Sequence, residues 1–458
     1  MPTTLDCNIM RNLFGSDRMR EVFDSRRLLQ AWLDVWAALA EAEADAGLIP
    51  VGAAQTIRSV AKAERYDLDQ IGREIKEGQH LLMPSINALS KASGEAGKYV
   101  HWGTTTQDIT DTGLVLQIRA ALDLIEPQVR DTIKLLSGYA ERYKAQPMAG
   151  RTHWQHAVPI TFGLKIAQWV DELIRNSERL ARCRTEVLVA QMFGACGTMA
   201  ALGADGARVQ AAFSKRIGLP LPNAPWYVQR DRFAELVSQL GILAGTMERI
   251  IMEVGRLSAT EIGEVHEGRK KGLVGSSTMP QKHNPIIGER ACAGFKCVRG
   301  LVPVMQSLMI VGHERDMSAT SGEWLLLPQC FITLDGALVL AHGVLERMQV
   351  HPQKMMENLA LTKGGIVAEA VMFGLAKHFG RNHAHDMSLL MAREASEKNC
   401  DLFDVLMAND EVRGALSESE LRALVDPTNY LGQAEEIVED VVRSANGGGG
   451  RRAAEHSS

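Results

Sequence analysis

The chain has 458 residues, 46% of them hydrophobic, 23% charged and only 5% aromatic, with a net charge of −5. That length supplies two to four structural units with ample core, and the acidic balance excludes a bulk preference for nucleic acid or anionic membrane. Its seven cysteines lack paired or metal-ligand spacing and its histidines lack a His-Glu-x-x-His pattern, so free thiols, a reducing cytoplasm, and no metal or cofactor are expected.

Near the N-terminus, Asp6, Arg11, Asp17 and Arg18 interrupt any secretory signature, and no stretch reads as long and apolar enough to span a bilayer. Leu29, Trp32, Leu33, Trp36 and Leu39 form the first helical stripe, closed by Gly47 and Pro50. A polar stretch, HWGTTTQDITDTG (101–113), then feeds a long helical pattern over 112–144. A second, GRTHWQHAVPITFG (150–163), feeds another over 160–192, with a helix expected to open at Pro159. Residues 233–257 repeat apolar positions at close to 3.5-residue spacing, the pattern of a bundle seam. A third polar stretch, GSSTMPQKHNP (275–285), precedes a pattern over 286–320. Pro127 and Pro303 fall inside such patterns and predict kinks. No run of alternating strands stands out. The reading is an all-α protein with an N-terminal helical domain (1–111), a central long-helix bundle (112–360), a C-terminal helical domain (361–443) and a disordered glycine-rich tail (444–458).

The three polar stretches share a design. Asn284-Pro285 reads as N-cap and first helical residue, so the helix behind it presents free N–H groups and partial positive charge toward the loop. Lys282 adds a full charge, and Ser276 and Ser277 add hydroxyls on a segment hinged by glycines at 268, 272, 275 and 288. Thr152, His153 and Gln155 crowd the second stretch, and Thr104, Thr105, Thr106 and Asp108 the first. Converging helix ends would cradle a small, multiply charged anion. Taken singly, each is equally an ordinary cap, and His313-Glu314-Arg315-Asp316 is equally a helix-end charge cluster.

GSSTMPQKHNP resembles the eleven-residue signature of the fumarase/aspartase superfamily, and RTHWQ and HWGTTTQD resemble its two other separated motifs, in the same order. The likeness covers the chain to about residue 440. Within the superfamily, QRDRFAE (229–235), HERDMS (313–318) and DPTNYLGQA (426–434) are most similar to 3-carboxy-cis,cis-muconate cycloisomerases and adenylosuccinate lyases. Two positions depart from these patterns. Many bacterial cycloisomerases carry tryptophan where this chain has His153, and adenylosuccinate lyases read Glu-Arg where it has Glu323-Trp324.

The resemblance implies a three-domain all-α fold, a homotetramer with each site shared by three chains, and elimination across a substituted succinate to release fumarate. C–N cleavage is the first reading, with the lactonising cycloisomerase and a catalytically silent structural homologue as alternatives. By the same resemblance Ser276 is the base that takes the carbon-bound proton, and His153, with His101, assists the leaving group. Thr105, Thr106, Thr152, Gln155, Gln229, Ser277, Met279, Lys282 and Asn284 hold the substrate.

Overall fold

The computed structural model describes residues 4–268, 279 and 282–447. It is all-α apart from short antiparallel pairings. The long helices are α1 (Ser25–Asp45), α2 (Thr106–Arg142), α3 (Phe162–Val187), α4 (Asp231–Leu257), α5 (Ile286–Ser307) and α6 (Met317–Glu346). Local chemistry accounts for the start of α1. Asp24 caps α1 by accepting the Arg27 N–H at 2.7 Å. In the C-terminal region Ser417 and Glu420 form a reciprocal capping box. Pro127, Pro303 and also Pro328 lie inside helices.

Two compact units emerge, and α2 to α6 each contribute residues to both. The first comprises Met1–Gln128, Asn176–Glu248 and Arg290–Val339; the second comprises Val129–Arg175, Arg249–Glu289 and Leu340–Ser458. The stripe expected over 29–39 is buried along α1, and that over 233–257 along α4. In the second unit, Val371, Leu375, Met387, Met391, Leu402 and Leu406 gather the C-terminal helices into a core.

Four expectations are corrected. Residues 147–161 are a β-hairpin, β1 (Pro147–Thr152) and β2 (Gln155–Thr161), and Pro159 sits in β2 opposite Ala149 instead of opening a helix; α3 begins at Phe162. The pattern over 286–320 is two helices, because Gly312 to Asp316 breaks it: His313 has φ 51°, and Asp316 accepts the Gly312 and Ser318 N–H groups at 2.6 and 2.8 Å. The apolar α6 is long enough to cross a membrane, with a mean hydropathy of 1.7. Most of its apolar stretch is buried, and it carries Asp335, which accepts from Gln128 at 2.7 Å, so it is built as a core helix. The expected disordered tail starts too early: the last helix runs to Ala445, and residues 448–458 lie outside the described residues.

Candidate active site

In the first unit, the stretch 101–108 is held by buried polar groups. Asp108 is fully buried and accepts from five donors: the Tyr227 hydroxyl at 2.6 Å, the Thr104 hydroxyl at 2.9 Å, and the N–H groups of Thr105, Phe193 and Gly194 at 3.0, 3.0 and 3.1 Å. Burial pushes its carboxyl up, and these donors oppose that rise. Asp108 therefore clamps the entry of α2 to residues 193–194 and has little capacity left for a ligand. Gly103, at φ 63°, packs so closely that a Cβ would lie 2.4 Å from Leu202; only glycine meets both demands there.

His101 lies before this turn at φ 64°, and its Nδ1 accepts from the Trp36 indole N–H at 3.0 Å. Because an indole only donates, Nδ1 is bare and the ring proton sits on Nε2. Burial, with His80 adding like charge, lowers its pKa to about 4, so His101 is a neutral imidazole offering one N–H at neutral pH.

Below the loop, Arg230 is fully enclosed between two carboxylates. Its Nη1 and Nη2 reach Asp111 at 2.9 and 3.1 Å, and Nε reaches Glu323 at 2.7 Å, with a second bond from Nη2 to Glu323. Burial alone would favour the neutral guanidine, but the two carboxylates outweigh it and raise the pKa. Burial raises the Glu323 pKa, opposed by Arg230. The triad joins α2, the start of α4, and α6. Gln229, expected to hold substrate, is exposed beside it.

Arg315 is the residue that sequence reasoning left as a charge cluster. Its Nη1 donates to the Thr105 hydroxyl at 2.8 Å, its Nη2 to the Ala195 carbonyl at 2.6 Å, and it lies 4.7 Å from the Tyr227 ring centre. With Thr106, Gln107 and His80 it lines a cavity of about 280 Å³. His80 was not singled out from sequence either. Its Nδ1 accepts the Met83 N–H at 3.1 Å, a helix-start contact that no motif announces.

The second unit carries the other nominated groups. His153 and Trp154 are the two turn residues of the hairpin, at φ 48° and 67°, between the paired Thr152 and Gln155. Positive φ at both positions is the requirement of a type I′ turn, and non-glycine residues resist it by about 1–2 kcal/mol each. Thr152, His153, Trp154 and Gln155 are all exposed. The hairpin base is rigid by contrast. Arg151 donates twice to the buried Glu264, at 3.0 and 2.7 Å, and Asn358 donates to the same carboxylate at 2.7 Å. Two strained, exposed turn residues are thus displayed on a braced base.

Lys282 is exposed, with its N–H on the Met279 carbonyl at 3.0 Å, and Met279 is exposed as well. Helix α5 starts at Ile286, after Asn284-Pro285, and Ile286 N–H donates to the Asn284 carbonyl at 2.9 Å. Its first free N–H groups do not face outward as expected. Glu267 takes the Gly288 N–H at 2.6 Å and also bonds the Ile287 N–H. Burial raises the Glu267 pKa, and these two donors lower it. A Cβ on Gly288 would lie 2.5 Å from Glu267 Oε1, so glycine is what admits the carboxylate. The positive end of α5 is thus neutralised from within, and Lys282 is left as the cation of that stretch. Ser276 and Ser277 lie outside the described residues.

Fold and clusters together define an all-α scaffold that presents polar groups at helix and hairpin ends. A protein-family profile described as Lyase matches residues 13–300, and one described as Adenylosuccinate lyase C-terminus matches 364–441. The chain belongs to this lyase family, within the fumarase/aspartase superfamily, and is an enzyme of it. It is 42% identical over 430 residues to a 3-carboxy-cis,cis-muconate cycloisomerase of Pseudomonas aeruginosa, covering 93% of this chain and 94% of that one. It is 37% identical to an N-acetyl-S-(2-succino)cysteine lyase of Dickeya dadantii, covering 97% and 98%. The crystal structure of 3-carboxy-cis,cis-muconate lactonizing enzyme from Pseudomonas putida superposes with a TM-score of 0.90 at 40% identity, covering 94% and 98%.

Proposed function

We propose that this enzyme eliminates an amine from an N-substituted succinate and releases fumarate. The base, assigned to Ser276 on motif resemblance, takes a proton from the carbon beside one carboxylate. That carboxylate then carries a second negative charge as an aci-carboxylate, and donors aimed at that charge are the largest source of rate. Lys282, with Asn284, is the group of this chain suited to that task. The C–N bonding pair leaves with nitrogen, which receives one proton from His153, while neutral His101 offers its Nε2–H only as a hydrogen bond to the departing portion. Thr105, Thr106, Thr152, Gln155 and Gln229 hold the remaining oxygens.

The observation that carries this reading is the hairpin turn. It holds a histidine at full display on a base locked by the Arg151–Glu264–Asn358 cluster, which suits a proton donor that meets substrate from outside its own chain. We accordingly propose a homotetramer in which three chains complete each site. A relative named for a 2-succino thioether supports a substituted succinate as substrate. The second reading is lactonisation of 3-carboxymuconate, favoured by the 42% identity to a cycloisomerase.

A screen following fumarate release from N-substituted aspartates, adenylosuccinate and argininosuccinate, with 3-carboxymuconate alongside, separates the two. Turnover of an aspartate derivative, abolished in Ser276→Ala with ligand binding retained, is expected. Turnover of 3-carboxymuconate alone overturns the C–N reading, and near-normal turnover in Ser276→Ala removes that residue from its role.

A further inference from the structure

The 280 Å³ cavity of the first unit adjoins a second chamber of about 200 Å³, and the two share Leu81, Thr110 and Trp324 as walls. Their linings differ in kind. The first presents Arg315, His80, Thr106 and Gln107. The second presents Phe23, Leu28, Trp32, Leu114 and Pro328, and among the described residues no charged one lines it. Its one amide, Gln117, donates to the Val22 carbonyl at 2.8 Å.

Resting on the substituted-succinate reading, we infer that the substrate's substituent is an apolar, flat group of about one ring, seated in this second chamber, and that Trp324 is the specificity-determining wall between it and the carboxylates. A phosphate or carboxylate placed there would lose its water and meet no cation among the described lining residues. A hydrocarbon ring would meet aromatic and aliphatic walls. The size fits, since a dry apolar cavity of about 150 Å³ accepts benzene. The carboxylates take the other side, where Arg315 already donates to Thr105 and can reorient toward an anion. Trp324 is half-buried and follows Glu323, whose carboxylate is locked on Arg230, so the indole hangs from one of the firmest points in the unit. The wall is therefore rigid, and it sets the maximum size of the group.

The test compares N-benzylaspartate with N-(2-carboxyethyl)aspartate, and then with N-(naphthylmethyl)aspartate, by fumarate release. The wild-type enzyme is expected to favour benzyl over carboxyethyl by at least tenfold in kcat/KM. Leu28→Trp, which fills the chamber, should cut that ratio about tenfold through KM. Trp324→Ala should raise the naphthylmethyl-to-benzyl ratio. Circular-dichroism melts establish that each variant is folded. Fumarate release without preference between benzyl and carboxyethyl overturns the inference and leaves the elimination reading standing. If no aspartate derivative turns over, that reading falls, and calorimetry with unreactive 2-benzylsuccinate and 2-(2-carboxyethyl)succinate decides the chamber by itself. Tenfold tighter benzyl binding, lost in Leu28→Trp, supports the apolar chamber, and equal affinities overturn it.

Discussion

The Asp111–Arg230–Glu323 triad and the Thr152–Gln155 turn are both rich in hydrogen-bonding groups, yet they are built on opposite terms. Every charge in the triad is buried and matched within the chain. The turn is exposed, its backbone stands at unfavourable dihedrals, and only its base is matched. Polar residues that satisfy one another hold a scaffold in register. Those left facing outward are available to a ligand.

The largest stability loss is expected at the triad. Arg230→Ala leaves two carboxylates buried without a partner and should cost about 3–5 kcal/mol in urea unfolding. Replacing all three members by apolar residues of similar volume should recover most of that loss, and a single replacement costing under about 1 kcal/mol would break the comparison.

Glu43 sharpens it, as a buried acid whose two carboxyl oxygens have no hydrogen-bond partner among the described residues. Burial pushes its pKa up to about 8. The native state therefore holds a proton that the unfolded chain sheds above its own lower pKa, and stability falls as pH rises from about 4.5 to 8. Glu43→Met should remove that fall and gain on the order of 3 kcal/mol at pH 9, with a smaller gain at pH 5. Melting curves across that range check it; a variant with an unchanged pH slope refutes the assignment.

The smallest effect on stability is expected at the turn. His153→Asn keeps a residue tolerant of positive φ, so unfolding should move by less than about 0.5 kcal/mol. Turnover should nevertheless fall about 10²–10⁴-fold. A stable variant with full activity would take His153 out of the proton-transfer role.

Helices with one apolar face were legible from sequence: α1 and α4 lie where the periodicity placed them. Helix α6 went unread because leucines and other apolar residues surround it on every side, which leaves no stripe to detect. The hairpin was read as a helix entry because its turn is His-Trp, where Asn-Gly or Asp-Gly would have signalled it. The three motif stretches were recognisable as such, but not which of their residues serve as scaffold. Asp108 reads as a helix-start acid and proves to be a five-donor clamp, while Arg315 reads as part of a helix-end charge cluster and lines a cavity. Thr104 and Thr105 are local donors to Asp108, but its other donors, Phe193, Gly194 and Tyr227, and the Thr105 partner of Arg315 come from distant segments that no local spacing encodes.

The Trp36–His101 contact has a hereditary consequence. The indole fixes which nitrogen of the imidazole carries hydrogen, so a phenylalanine at 36, which has no ring N–H, would release the tautomer. Two positions 65 residues apart thereby form one unit of variation, because the residue at 36 sets which nitrogen of the histidine at 101 carries the proton.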